Sequence, residues 1–422
     1  FQAEDGIRDF CLSRGLGDVY KRQIFRQTLK SLNFSIFKSL NNLKMNLFDV
    51  YPLYPITPVK ALDFTITDDK GIEYIDLYSG HGVISIGHTH PEYVVKVKEQ
   101  LDNLSFYSNA IQNPLQVELA DKLGKLSHCE EYSLFLCSSG AEANENALKM
   151  ASFHTNKSRV VSFNNAFHGR TSAAVATTDN PKIVAPMNAQ QVVTFLPLND
   201  IELVENELKK GDVACVIIEP IQGVGGLDMG TTPFFQALEK VCHTYDVVLI
   251  LDEVQSGYGR SGKFFAHQHH GIKPDIICMA KGMGNGFPIG GILTSPKFKA
   301  SHGLLGTTFG GSHLACAAGI AVLDIIEKQK LMDNVLAIEK YFFEAIKVIP
   351  EIIKVKGRGL MLGVEFDFDV SALRKKMIIE KYIFTGGSSN KNLLRILPPL
   401  TINKEAIDTF IIALKETLSE LK

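Results

Sequence analysis

The sequence predicts an α/β fold on a mostly parallel sheet, with a second, smaller α+β lobe. Three observations carry this expectation. The chain has 422 residues, more than one hydrophobic core usually supports, so two lobes are the default. Short apolar runs, SLFLC over 133–137, VACVII over 213–218, VVLIL over 247–251 and IICMA over 276–280, alternate with segments of helical periodicity. Each run is apolar on both faces, which is how strands buried in a parallel sheet read. Beyond Asp333 the pattern changes to amphipathic helix, a glycine bend at Gly357 and Gly359, a short strand and a last helix from about Lys404. Residues 333–422 therefore read as the small lobe, joined by a contribution from 45–95, and residues 96–332 as the large one.

The first 44 residues do not share this patterning and read as an appendage, either non-native or disordered. Phe1 to about Gln23 resembles translated sequencing-adapter sequence. Residues 21–48 carry six basic residues and no acidic one, which is also how an organellar transit peptide can look. Met45, followed by NLFDVYPLYP, is the better native start.

Composition narrows the function. Lys+Arg 44 against Asp+Glu 46 gives a formal charge of -2, so no basic field draws nucleic acid or an acidic membrane. Cys11, Cys129, Cys137, Cys215, Cys242, Cys278 and Cys316 are scattered without C-x-x-C spacing and read as reduced thiols. No apolar stretch approaches the ~18 residues of a membrane span, and no signal-peptide core is present. A cytoplasmic enzyme acting on small molecules is expected.

Ligands of open parallel sheets bind beyond the carboxyl ends of the strands, so polar residues that directly follow apolar runs are read first. Glu219 follows VACVII, Asp252 follows VVLIL and Lys281 follows IICMA. Any one of them could be a structural ion-pair residue. Together they put two carboxylates and an amine on one rim, and such clusters are more often functional. After SLFLC come Ser138, Ser139 and Gly140, then the helical run AEANENALKMA. This turn offers free backbone N–H groups and a helix dipole to a phosphate, although an ordinary strand-to-helix turn looks the same. Neither the Walker A spacing nor a G-x-G-x-x-G after a strand is present, which sets nucleotides and dinucleotides aside. A phosphate cradle, a carboxylate and a lysine match the needs of pyridoxal phosphate, with Asp252 chosen as the partner of the pyridine nitrogen.

From Met45 onward the chain resembles the class III aminotransferases, most of all the acetylornithine and succinylornithine branch. The resemblance is carried by LILDEVQSGYGRSGKFFAHQHHGIKPDIICMAKGMGNGFPIGG, CSSGAEANENALKMA, FNNAFHGRTSAA, GTTFGGSHLACAA, RGLMLGVEF and LLRILPPLTI. It implies a fold-type I pyridoxal-phosphate transferase and a homodimer with the site at its interface. It implies that Lys281 binds the cofactor as a Schiff base and acts as the acid/base. Ser139, Gly140 and Ala141 bind phosphate, Phe167 stacks on the ring, Asp252 pairs with the ring nitrogen, and Glu219 and Gln255 complete the cofactor site, Gln255 beside the ring hydroxyl. Thr308 reaches the phosphate across the dimer interface, and Thr307 lies near the donor. Arg170 and Arg395 clamp carboxylates, because a guanidinium fork fits them bidentately.

The reaction so implied is transfer of the terminal amine of an N-acylated ornithine to 2-oxoglutarate in a ping-pong cycle. Aminotransfer from ornithine, 4-aminobutyrate or a lysine-pathway amine shares every cofactor residue and stays open, as does an isomerase that needs no acceptor. A degenerate binding protein is disfavoured by the presence of Lys281, Asp252 and the phosphate turn. His88 and His90, and likewise His267, His269 and His270, lack an evident carboxylate or thiol ligand set and are not read as metal ligands. One position departs from the family pattern: in EPIQGVGG many relatives have glutamate where this chain has Val224. Arg395 is therefore expected to stay unpaired.

Overall fold

The computed structural model describes residues 47–421, so the appendage of 1–44 and Cys11 lie outside the described residues. The chain divides into two units, Phe1–Pro55 and Ile56–Lys422. The described part of the first, 47–55, carries neither helix nor strand.

The strands of the second unit are, in chain order, β1 (Pro58–Leu62), β2 (Thr65–Asp68), β3 (Glu73–Asp76), β4 (Ser133–Cys137), β5 (Arg159–Phe163), β6 (Val193–Leu196), β7 (Val213–Ile218), β8 (Val248–Asp252), β9 (Ile276–Met279), β10 (Gly290–Thr294), β11 (Lys354–Arg358), β12 (Met361–Glu365), β13 (Ile383–Phe384) and β14 (Leu393–Ile396). The large sheet has the order β4-β10-β9-β8-β7-β5-β6. Its five strands β9, β8, β7, β5 and β6 run parallel, as the apolar runs imply. Strands β5, β7, β8 and β9 are buried along their whole length, so every backbone group there must find its partner within the sheet.

Register then fixes the rim. Ile218 lies opposite Leu251 and Asp252 opposite Cys278, so Glu219, Asp252 and the residues after Met279 emerge at one level. Helices pack this sheet by burying one stripe each. In Thr232–Thr244, Thr231 caps the N-terminus by accepting from the Phe234 amide, and Phe234, Phe235, Leu238 and Cys242 face inward. The six described cysteines are free and buried. No helix among the described residues is long and apolar enough to cross a membrane.

Two expectations need correction. SLFLC forms β4, but as an edge strand whose partner β10 runs antiparallel to both its neighbours, and Ser133 is exposed. Apolar faces report burial by helices on both sides, which favours parallel neighbours but also fits an antiparallel strand at the edge of a mixed sheet. Beyond Asp333 there are more strands than the one foreseen. β11, β12 and β14 make a three-stranded antiparallel sheet, while β13 pairs in parallel with β3 of a sheet ordered β1-β2-β3-β13. β11 reads KVKGR and is half-exposed, so it shows no apolar run to announce it.

Arg260 ties three distant segments together from a fully buried position. Its guanidinium donates to the carbonyl oxygens of Leu360, Pro398 and Ile84. Burial pushes it down to about 10, which still leaves it charged at neutral pH. Arg260→Leu would leave these buried acceptors without a donor and is expected to lower the unfolding free energy by about 3 kcal/mol, read from urea denaturation. An unchanged midpoint would show that the three segments are held elsewhere.

Candidate active site

A cavity of about 400 Å³ opens at the rim of the large sheet. Its wall includes Ser139, Gly140, Ala141, Phe167, Arg170, Glu219, Asp252, Gln255 and Lys281, so nine of the sequence-derived site residues meet there.

The helix Gly140–Thr155 points its N-terminus at this space. Ser139 caps it, its hydroxyl accepting from the Glu142 amide at 3.2 Å, while Glu142 reaches back to accept from the Ser138 amide at 2.6 Å. The capping leaves the next backbone N–H groups facing the cavity. A side chain at Gly140 would put its Cβ 2.7 Å from Val254 Cγ1, so glycine lets the turn lie against the loop after β8.

Asp252 is buried at the end of β8, and three donors converge on it. Asn144 Nδ2 donates to Oδ2 at 2.8 Å, His168 Nδ1 to the same oxygen at 2.7 Å, and the Val254 amide to Oδ1 at 3.0 Å. His168 Nε2 is buried without a partner among the described residues, which fits an imidazole that carries its proton on Nδ1. Asn144 also donates to the His168 carbonyl at 2.6 Å. Sequence reasoning missed both residues. His168 lay inside the quoted FHGR run, but its partner is 84 residues away and no local pattern joins them.

Glu219 accepts from the Phe167 amide at 2.9 Å and the Gly223 amide at 2.8 Å, which fixes the loop carrying the Phe167 ring. Burial, with Asp252 adding and His168 opposing, raises Glu219 to about 7. Lys281 begins a short 3-10 turn with a φ of +43°, a strained value for a residue with a side chain. Burial pushes its amine down, Asp252 and Glu219 pull it up, and Arg395 pushes it down further. Gln255 Nε2 donates to the His81 carbonyl at 2.9 Å, and its Oε1 is buried without a hydrogen-bond partner among the described residues.

Arg170 is exposed at the cavity, its guanidinium 6.0 Å from the Phe167 ring centroid. Arg395 lies behind the wall and is buried. It donates to the carbonyls of Gly387 at 2.5 Å and Gly223 at 2.7 Å and to the Tyr78 hydroxyl at 2.9 Å. These partners are neutral oxygens, no carboxylate among them, and Val224 lines the cavity beside it. Thr307 and Thr308 are not brought to this cavity. The Thr307 hydroxyl accepts from the Gly310 amide at 3.0 Å, and Thr308 is exposed.

Single carboxylates stand beside two of the histidines. His88 Nε2 lies 2.8 Å from Asp76 and His267 Nδ1 lies 3.0 Å from Glu253. Each is a single pair, and among the described residues no group of three possible metal ligands occurs.

The family profile of class-III aminotransferases matches residues 50–418. The chain belongs to this family. It is 41% identical to the acetylornithine aminotransferase of Aquifex aeolicus, the match spanning 88% of this chain and 99% of that one. The acetylornithine aminotransferase of Bacillus subtilis is 37% identical, over 89% and 98%. Among solved structures, an ornithine aminotransferase of Toxoplasma gondii is similar with a TM-score of 0.82 at 25% identity, covering 92% of this chain and 99% of that one. A second structure of that protein, with a TM-score of 0.81 at 25% identity and the same coverage, is described as having partial occupancy of PLP at its active site. The protein is thus a pyridoxal-phosphate-dependent aminotransferase of the fold-type I class.

The residues present fit that cofactor. The helix N-terminus suits a phosphate, the buried Asp252 carboxylate suits a protonated ring nitrogen, the Lys281 amine shares the cavity, and Gln255 Oε1 awaits a donor.

The Glu219 shift has a pH consequence. Its carboxyl is raised from 4.5 to about 7, so its contribution to folding is fully present below pH 4.5 and is lost as pH rises through about 7. In the cofactor-free protein this group is expected to cost roughly 3 kcal/mol of stability across that window. Glu219→Gln should flatten the pH dependence of urea unfolding there. A slope unchanged by the substitution would show that Glu219 is already ionised.

Proposed function

We propose that the enzyme moves the terminal amine of an N-acylated ornithine to 2-oxoglutarate in a ping-pong cycle. The observation that carries this reading is the nearly full-length likeness to acetylornithine aminotransferases. Pyridoxal phosphate, when bound, supplies an electron sink for the negative charge that develops at the substrate carbon.

The chain's residues take the remaining tasks. Ser139, Gly140 and Ala141 hold the phosphate at the helix N-terminus, and Phe167 supplies the aromatic face against the pyridine ring. Asp252, held by Asn144, His168 and the Val254 amide, keeps a proton on the ring nitrogen. Gln255, whose Oε1 has no hydrogen-bond partner among the described residues, would stand beside the ring hydroxyl. Lys281 holds the cofactor and moves a proton to and from the substrate carbon, its amine made less basic by burial. Arg170 and Arg395 take substrate carboxylates.

In this reading the enzyme is a homodimer, with Thr308 of one copy serving the phosphate of the other and Thr307 placed near the donor. An apolar patch supports it: Phe309 is 66% exposed beside these threonines and packs at 5.4 Å on Phe106, with Tyr107 and Ile111 exposed close by in sequence.

The acyl group follows from charge. With valine at 224 the donor end of the cavity lacks a carboxylate that would repel an acidic acyl chain, and close charges at an intermediate dielectric interact by a few kcal/mol. The enzyme is expected to use succinylornithine at least as well as acetylornithine, and free ornithine poorly. Ornithine aminotransfer is the second reading, favoured by the Toxoplasma gondii neighbour.

Initial rates with acetylornithine, succinylornithine, ornithine and 4-aminobutyrate, each with 2-oxoglutarate, decide among these. Val224→Glu should lower kcat/KM for the succinylated donor more than for the acetylated one, and an unchanged ratio of the two would remove position 224 from acyl choice. Lys281→Ala should abolish borohydride-fixed cofactor at that position by mass spectrometry and cut turnover about a thousandfold or more. A variant that still fixes cofactor and turns over would overturn the assignment of Lys281.

A further inference from the structure

Tyr78 lies between β3 and a tight turn, Ser79–Gly82, in which four successive residues have positive φ. Its backbone is clamped, since Asp76 Oδ1 accepts from the amides of Tyr78 at 2.9 Å and Ser79 at 2.7 Å. The ring is clamped as well. A Cβ on Gly386 would sit 2.0 Å from Tyr78 Cε2, so the absence of a side chain there is what lets the phenol reach Arg395. The Arg395 guanidinium lies 5.5 Å from the ring centroid and donates to the hydroxyl at 2.9 Å.

The hydrogen-bond partners of Arg395 among the described residues are therefore neutral oxygens: two carbonyls and this phenol. A carboxylate in the place of Val224 would orient the guanidinium equally well, but would also cancel its charge and have to be displaced by an incoming acid. The phenol orients without cancelling. Because its oxygen accepts from Arg395 without bearing a charge, the guanidinium keeps its charge for an arriving carboxylate. His81 packs on the Tyr78 ring at 4.9 Å, and burial, then the charges of Arg395 and Lys281, push its imidazole down, while Arg374 is a further cation close enough to act on Arg395.

We propose that Tyr78 is a positioning and specificity-determining residue that holds Arg395 charged and in place for the carboxylate next to the reacting carbon of a 2-oxo acid. This rests on the reading of Arg395 as a carboxylate clamp. An amine donor reacting at its chain end has a methylene at that position, so the contact serves the acceptor half-reaction alone.

The test uses the holoenzyme with Tyr78→Phe, which keeps the ring and removes only the hydroxyl, with Arg395→Gln, and with the double variant. The readouts are KM and kcat for 2-oxoglutarate, inhibition by glutarate, and the rate of the amine-donor half-reaction in a single turnover. Tyr78→Phe should raise KM for 2-oxoglutarate and the inhibition constant of glutarate about tenfold, as expected for loss of a hydrogen bond to a charged group. kcat should change far less and the donor half-reaction should not slow. Arg395→Gln should raise both constants further, and the double variant should match it, because the phenol acts through the guanidinium. If Arg395→Gln weakens both acids but Tyr78→Phe does not, the role of Tyr78 is wrong while the clamp stands. If Arg395→Gln leaves both constants unchanged, the clamp itself is wrong. Equal slowing of both half-reactions in Tyr78→Phe would mark a merely structural role and overturn the proposal.

Discussion

A carboxylate buried at the end of a parallel strand must be met by donors, and Asp252 imposes that demand on the whole site. One donor comes from the helix after β4, one from the loop after β5 and one from the turn after β8 itself. Meeting the demand therefore brings three separate βα connections into register. The same convergence sets the phosphate-suited turn, the Phe167 loop and Lys281 around one cavity. The chemistry of the site and the packing of the sheet rim are in this sense one constraint.

Around Asp252 the charges are arranged in layers. Glu219 spends its oxygens on backbone amides and so acts as a brace for the Phe167 loop, with a carboxyl raised by burial and by Asp252. Glu253, one residue beyond Asp252, braces the next loop in the same manner, accepting from the amides of Ala266 and His267 and from the Ser256 hydroxyl. Adjacent acidic residues thus face opposite ways, one toward the cavity and one into the scaffold, as alternation along an extended chain requires. Arg260 completes the support from the other side by joining Ile84, Leu360 and Pro398.

Cations are graded too. Arg170 stands exposed at the cavity mouth, Lys281 is half-buried within it, and Arg395 is held behind the wall by neutral oxygens. The cavity thus carries an exposed guanidinium and, behind its wall, a buried one held by neutral oxygens.

The sequence by itself determined the apolar runs of β7, β8 and β9, the polar residues that end them, and the small-residue turn before a strong helix former. These are local signals: strand burial, strand termination and helix capping act within a few residues, so Glu219, Asp252, Lys281 and Ser139 to Ala141 were legible as they stood. Only the tertiary structure decided what lies across the chain from them. The antiparallel β10 beside β4, the His168 and Asn144 contacts to Asp252, the phenol of Tyr78 on Arg395 across 317 positions and the burial of Arg395 all depend on which segments become neighbours. A hydrogen bond between residues far apart in sequence leaves no periodicity in either partner's surroundings, so its physical cause exists only once the fold has closed.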